Sequence, residues 1–235
     1  VCCNILIVKG SMAMPDKNEM GAIFDLDGVL VDTAWAHLQA WRALAAREGF
    51  EMSPEYFYST FGMQNCQILP ELVGQDVPRN EIDRMGDWKE QRYREIIAQK
   101  LGPADGVLAL LEDLKATGFR LAVGSSAPRP NVELMLGSAE ITDYFDAFVC
   151  GQDVTHGKPH PETFLTAAAK LAISPDRCVV VEDAVQGVAA GKAGGMVVIA
   201  VTSTRKREEL AQADLVVDTL AEIGAKDFTR LIEAR

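Results

Sequence analysis

Short apolar runs alternate with stretches of helical periodicity along most of this chain. Gly21 opens the run GAIFDL, four small or apolar residues followed by an aspartate, which predicts a buried strand. Over 34–48, Leu38, Trp41 and Ala45 fall on one face and Gly49 supplies a stop, which predicts a helix. Residues 50–102 hold no strand-like run. They are polar, and Tyr93, Ile96 and Ile97 share the spacing of one amphipathic helix. Leu101-Gly102-Pro103 is a break, and beyond it the alternation resumes. Helices are expected over 106–117, 130–140, 161–172 and 184–193. Strands are expected in FRLAVGSS (119–126), AFVC (147–150), CVVVED (178–183), VVIAV (197–201) and ADLVVD (213–218).

This order implies an α/β fold: a Rossmann-like, doubly wound parallel sheet with helices on both faces. One segment departs from it. Residues 34–103 follow the first strand with helices alone, so they read as a helical cap inserted into a core made of 21–33 and 104–235. Residues 1–20 read as an N-terminal extension. Their apolar run is too short for a signal peptide, and Gly10-Ser11-Met12 looks like a cloning remnant ahead of a start methionine.

Composition narrows the function. The 235 residues are 48% hydrophobic and 24% charged, which suits a globular chain and not a disordered one. Lys plus Arg number 23 against 34 Asp plus Glu, a formal charge of −11. With no basic stripe, neither nucleic acid nor an anionic membrane is expected as a partner. An acidic chain that handles anions needs local help from a metal, a lysine or helix N-termini. The five cysteines form no CxxC pair. Cys150 and Cys178 border apolar runs, so buried free thiols and a cytoplasmic location are expected.

The candidate chemistry lies at the carboxyl ends of the expected strands, where open parallel sheets bind ligands. The first strand ends in Asp25 and Asp27, the second in Ser125 and Ser126, and the fourth in Glu182 and Asp183, while Lys158 follows the third. Carboxylates suit a hard divalent cation. A hydroxyl and an ammonium can hold phosphoryl oxygens, and one carboxylate can act as a nucleophile. A strict strand would put Asp25 and Asp27 on one face; a turn at Gly28 would instead aim Asp27 across the site. Taken singly, each residue has an ordinary explanation as a turn, a helix cap or a surface charge.

Together these residues resemble the haloacid dehalogenase superfamily. DLDGVLVDT (25–33), GSS (124–126), GKPHPE around Lys158, and VEDAVQG (181–187) match its four motifs in order. The similarity runs from about Gly21 to Asp218. The helical insertion after the first motif resembles the β-phosphoglucomutase-like branch, which includes sugar-phosphate phosphatases. The resemblance implies that Asp25 is the nucleophile forming an aspartyl-phosphate and Asp27 the general acid and base. It implies that Ser125 and Lys158 hold the phosphoryl group. Mg2+ would sit with Asp25, the main-chain carbonyl of Asp27, and Asp183, with Glu182 beside it. A monomer is typical of the branch. Dehalogenase and phosphonatase chemistry is disfavoured, because those branches usually lack an aspartate at the place of Asp27.

The cap sets the substrate. Gly62, Asn65, His37, Lys89 and Ser126 are the candidate substrate-binding residues. His37 and Lys89 fall where the branch has a cap histidine linked to the second aspartate and a cap lysine facing the site. After Gly62-Met63, where that branch carries an arginine for the distal phosphate of a bisphosphate, this chain has Gln64-Asn65. A neutral amide lacks the bidentate, charge-assisted grip of arginine. The resemblance therefore implies an enzyme, a Mg2+-dependent phosphatase of a small phosphorylated metabolite of the sugar-phosphate kind. β-Phosphoglucomutase is the first alternative, and a non-catalytic metabolite-binding regulator the second. Three features read as decoys. GVAAGK (187–192) is one residue short of a P-loop. His156 and His160 are four apart, but Gly157 and Pro159 deny them one helix face, so zinc is not expected. Trp35, Trp41 and Tyr93 read as cap core rather than a sugar platform.

Overall fold

The computed structural model describes residues 19–97 and 101–235. All but the last two residues of the expected N-terminal extension, the Gly10-Ser11-Met12 stretch included, lie outside the described residues.

Among the described residues, six parallel strands form one sheet: β1 (Gly21–Phe24), β2 (Arg120–Gly124), β3 (Ala147–Val149), β4 (Cys178–Glu182), β5 (Val197–Val201) and β6 (Leu215–Val217), in the order β3-β2-β1-β4-β5-β6. β1 lies between β2 and β4, with Phe24 in register with Val123 on one side and Val181 on the other. The chain crosses from one half of the sheet to the other at β1, so the crevice at a topological switch point opens beyond the ends of β1, β2 and β4.

Alternation along each strand makes the two faces. Ala22, Phe24, Leu121, Val123, Val179 and Val181 point to one side. There they meet α5 (Val107–Ala116), α6 (Arg129–Ser138) and α9 (Ala225–Glu233) through Leu110, Val132 and Phe228. Ile23, Ala122, Val180 and Val198 point to the other, against Phe164 and Leu171 of α7 (Glu162–Leu171) and Val188 of α8 (Val185–Ala193). Both faces are covered, which is why these strands read as near-continuous apolar runs. The sequence reading ended at Asp218 and overlooked α9, although Phe228 and Ile232 have the i, i+4 spacing of a buried helix face.

Four helices stand between β1 and α5: α1 (Ala34–Glu48), α2 (Pro54–Thr60), α3 (Asn65–Val73) and α4 (Arg79–Ile97). They enclose an apolar cluster of their own, with Trp41, Leu44, Phe57, Leu69 and Ile82 at its centre. Ala36, Ala40, Tyr93 and Ile97 instead join the core of the sheet, so α1 and α4 each serve both cores. Of the three aromatics expected in the cap core, Trp41 is buried there, Tyr93 is buried in the core of the sheet instead, and Trp35 is 44% exposed and belongs to no core. It sits one residue inside α1, on the face turned away from Trp41.

Cys150 and Cys178 are buried free thiols, and burial pushes the Cys178 thiol up to about 12. GVAAGK lies inside α8, so its glycines form no loop. Among the described residues, no helix is long and apolar enough to cross a membrane.

Candidate active site

β1 stops at Phe24, and the next residues turn across the end of the sheet. Asp25 donates its amide to the Val181 carbonyl at 2.9 Å, which fixes it between β1 and β4. Gly28 has φ +83, and its amide bonds Val31 O at 2.8 Å. This turn takes Asp27 off the strand, so the two aspartates leave the alternation of β1 and line one cavity. A Cβ on Gly28 would stand 2.1 Å from Asp183 Oδ2. Gly28→Ala combines that clash with a left-handed φ that costs an L-residue about 1–2 kcal/mol. Both turnover and the urea midpoint should fall, and unchanged values would show that the turn is not needed.

Lys158 is fully buried. Its ammonium donates to Asp25 Oδ1 at 2.8 Å and Glu182 Oε1 at 2.5 Å, and lies 4.8 Å from the Phe164 ring centre. Burial alone would lower its pKa, but the two carboxylates outweigh that and hold it above the ordinary lysine value. Glu182 Oε2 accepts from the amides of Asp183 and Ala184, both at 2.8 Å. Asp183 Oδ2 accepts from Thr204 Oγ1 at 2.5 Å and Ser203 Oγ at 3.4 Å, while Oδ1 is buried with no partner. Ser125 Oγ accepts from the Ala127 amide at 3.0 Å, and the residue lines the cavity beside Asp25.

Three buried carboxylates crowd here. Asp25, Glu182 and Asp183 offer oxygens within 4.8 Å of one another. Burial, Glu182 and Asp27 push the Asp25 carboxyl up to about 7, against the pull of Lys158. Burial, Glu182 and Asp25 raise Asp183 well above the carboxylate range. For Asp27, burial also acts upward, but His37, Thr33 and Lys89 prevail and hold it below its ordinary value. Neighbouring acids thus sit in opposed environments, the condition under which two carboxylates take different roles.

The sequence pattern of haloacid dehalogenase-like hydrolases matches residues 22–201. The chain belongs to the haloacid dehalogenase-like hydrolase family. A haloacid dehalogenase-like hydrolase domain-containing protein of Arabidopsis thaliana is 32% identical, across 94% of this chain and 80% of the relative. Hexitol phosphatase A of Escherichia coli is 32% identical, across 86% of this chain and 92% of its own length. Among solved structures, a β-phosphoglucomutase from Clostridium difficile superposes with a TM-score of 0.84 at 28% identity, covering 92% of this chain and 97% of that one. The four motifs of this haloacid dehalogenase-like chain converge at the end of the sheet, as the resemblance implied.

The helical insert closes the other side of the cavity. Lys89 Nζ lies 2.8 Å from His37 Nδ1, and His37 Nε2 lies 3.0 Å from Asp27 Oδ1. An ammonium only donates, so Nδ1 accepts and the ring proton sits on Nε2, aimed at Asp27. Thr33 Oγ1 donates to the same oxygen at 2.5 Å. His37 stacks on Tyr93, ring centres 3.8 Å apart, which orients it.

Other candidates are placed differently. Ser126 lines the cavity but spends its hydroxyl on the Gly62 carbonyl at 2.8 Å, joining sheet to insert. Gly62, with φ +94, presents that carbonyl. Asn65 lines the cavity, yet its amide donates to Glu90 Oε1 at 2.7 Å. His156 and His160 do converge, with ring centres 4.7 Å apart and Glu162 beside them, because a loop rather than a helix carries them. Their proximity therefore does not depend on sharing a helix face. Glu162 accepts from the amides of Thr155 and His156 and from His156 Nδ1, which accounts for the grouping as a turn at the start of α7.

Sequence reasoning missed Thr33, Glu90, Asn131, Ser203 and Thr204. Ser203 and Thr204 were within reach, since they follow β5 at the same sheet end. The single Ser203 hydroxyl proton goes chiefly to Gly28 O at 2.5 Å, with Asp183 Oδ2 3.4 Å away, so Ser203 sits between the β1 turn and Asp183. Glu90 and Asn131 carried no signal, because only the docking of α4 on α6 makes them neighbours.

Proposed function

We propose that this chain is a Mg2+-dependent phosphatase of small sugar-phosphate-like metabolites, working through a phosphorylated Asp25. The observation that carries the reading is the pairing of buried Asp25 with buried Lys158, in one cavity with Asp27 and Ser125. The relatives named as phosphatases of phosphorylated polyols support the hydrolytic outcome.

Asp25 attacks the phosphorus, and the bond to the substrate oxygen breaks. A carboxylate and a phosphate dianion repel each other, so attack needs positive charge beside both, and Lys158 supplies one. Ser125 Oγ, already accepting from a backbone amide, has its proton free for a phosphoryl oxygen. Asp27 gives a proton to the leaving oxygen and then takes one from the water that hydrolyses the aspartyl-phosphate. His37 and Thr33 hold Asp27 as the carboxylate, the form that accepts in the second step. An entering phosphate dianion raises its pKa and favours the protonated form for the first.

The donor set fits a hard cation: oxygens only, crowded carboxylates with raised pKa values, and an unpartnered buried oxygen on Asp183. Asp25, Asp183 and the main-chain carbonyl of Asp27 would hold Mg2+, which supplies charge neutralisation for phosphoryl transfer. Both Glu182 oxygens are committed to Lys158 and two amides, so we assign Glu182 to anchoring Lys158 rather than to the metal.

The insert acts as a cap in this reading. The cavity measures about 70 Å³, well below the roughly 300–1,000 Å³ of small-molecule sites, so in this reading the insert moves to admit a sugar phosphate. Polar contacts join the two parts: Gln64 Nε2 to Gly151 O at 3.1 Å, Gln67 Nε2 to Lys158 O at 3.4 Å, Gln186 Nε2 to Ser59 O at 2.8 Å, and Arg205 to Tyr58 O. Such bonds exchange with water at little net cost, which suits a lid that opens and closes.

The likeness to β-phosphoglucomutase favours a second reading, phosphomutase. A phosphate-release screen of sugar and polyol phosphates with Mg2+, run beside conversion of β-glucose 1-phosphate to glucose 6-phosphate, separates them. Release should be the faster reaction. Glucose 6-phosphate formation at an equal or higher rate would replace phosphatase with mutase.

A further inference from the structure

Glu90 is a buried acid for which the mechanism above has no use. It lines the same cavity as Asp25 and is 7% exposed. Three donors hold it in place: Lys89 Nζ at 2.8 Å and Asn65 Nδ2 at 2.7 Å on Oε1, and Asn131 Nδ2 at 2.6 Å on Oε2. Asn131 comes from α6 and is itself fixed by Arg94 Nη1, which donates to its Oδ1 at 2.7 Å. The carboxylate is thus set where α4 meets the body of the protein.

Its charge alters what the far end of a substrate meets. Among the described residues, the cations lining or reaching the cavity are Lys89 and Lys158, and no arginine lines it. Lys158 is held by Asp25 and Glu182, and Lys89 by Glu90 and His37. Among the described residues, Glu90 therefore cancels the cation on the cap side. A second phosphate placed there would face a carboxylate and, among the described residues, no cation that is not already paired. A carboxylate has about four acceptor sites. Three are filled here, which leaves capacity for a hydroxyl of an uncharged polyol.

We infer that Glu90, with Asn65, is the specificity determinant of the distal end of the site: it accepts hydroxyls of a neutral sugar or polyol tail and excludes substrates bearing a second phosphate. This rests on the phosphatase reading for its biological sense, but it is a statement about binding. It also carries a consequence for Asn65. An arginine placed there would be captured by Glu90, so Asn65→Arg alone would create no phosphate grip.

Binding and turnover test the two claims separately. Dissociation constants are measured by calorimetry with Mg2+ in an Asp25→Asn background, which does not turn ligand over. The ligands are triose to hexose monophosphates and the bisphosphates of the same carbon skeletons. The best monophosphate should bind at least about tenfold more tightly than its bisphosphate, the scale of one hydrogen bond to a charged group. Adding Glu90→Gln, which keeps the shape and removes the charge, should weaken the monophosphate and strengthen the bisphosphate, closing that gap about tenfold. Adding Asn65→Arg alone should leave the ratio within about twofold, and only Asn65→Arg with Glu90→Gln should favour the bisphosphate. If Glu90→Gln weakens both ligand classes by one factor, Glu90 is merely a brace between α4 and α6 and the inference falls, as it does if the starting protein prefers bisphosphates. Wild-type turnover is read in parallel. Selective binding without phosphate release from any monophosphate would sink the phosphatase reading and leave the inference standing.

Discussion

Replacing Asp25 by Asn should abolish phosphate release while the protein remains folded. The nucleophile is lost, and losing one typically costs several orders of magnitude in turnover. The fold should not suffer, because Asp25 is one of several crowded acids whose burial opposes ionisation. Its folded pKa of about 7 lies above the ordinary carboxyl value of 3.8. A raised acid contributes stability that is fully present below the unfolded pKa and is lost as pH rises through the folded one. In metal-free buffer, wild-type melting temperature should therefore drop between about pH 4 and 7 relative to Asp25→Asn, which lacks the titration. Lys158 keeps Glu182 as a partner in the variant. Thermal melts across pH, with turnover assays beside them, read both effects. Turnover of a well-folded Asp25→Asn protein near the wild-type rate would refute the covalent mechanism.

The second large effect concerns Asp183. Its unpartnered Oδ1 and raised pKa suit the metal-ligand role proposed for it. Chelation should remove activity and Mg2+ should restore it. Ca2+ should substitute poorly, because its larger and looser coordination does not suit octahedral transfer geometry. A readout independent of activity is the melting temperature. If Mg2+ binds the folded state as proposed, it should raise that temperature in a concentration-dependent way. Asp183→Asn should erase most of that shift, and it should not lower the metal-free melting temperature much, since it relieves repulsion with Glu182 and Asp25. A shift of wild-type size in Asp183→Asn would move the metal elsewhere.

How much of this was legible beforehand follows from which forces are local. The strand runs AIF, LAV and VVV announce themselves because both sheet faces are covered, so no polar residue interrupts them. The reactive residues at strand ends are legible for a related reason. A parallel sheet collects the carboxyl ends of its strands, so Asp25, Ser125, Lys158 and Asp183 are neighbours in space although up to 158 positions apart, from Asp25 to Asp183. Gly28 was legible as a turn, but that its missing Cβ leaves room for Asp183 was not.

The sequence by itself determined the α/β order, the helical insert and the set of residues that meet at the sheet edge, because periodicity and turn chemistry are written in neighbouring positions. Only the tertiary structure decided what that set does electrostatically. Asp25 and Asp27 are the same residue type two positions apart, yet one carboxyl is pushed up by burial among acids and the other held down by His37 and Thr33. The same is true of the insert. Lys89 reads in sequence as a cap lysine facing the site, and Glu90 beside it carries no signal. Packing of α4 against α1, α3 and α6 buries both and brings them to His37, Asn65 and Asn131. Burial and pairing depend on contacts across 25 to 52 positions of chain, and no local pattern encodes those.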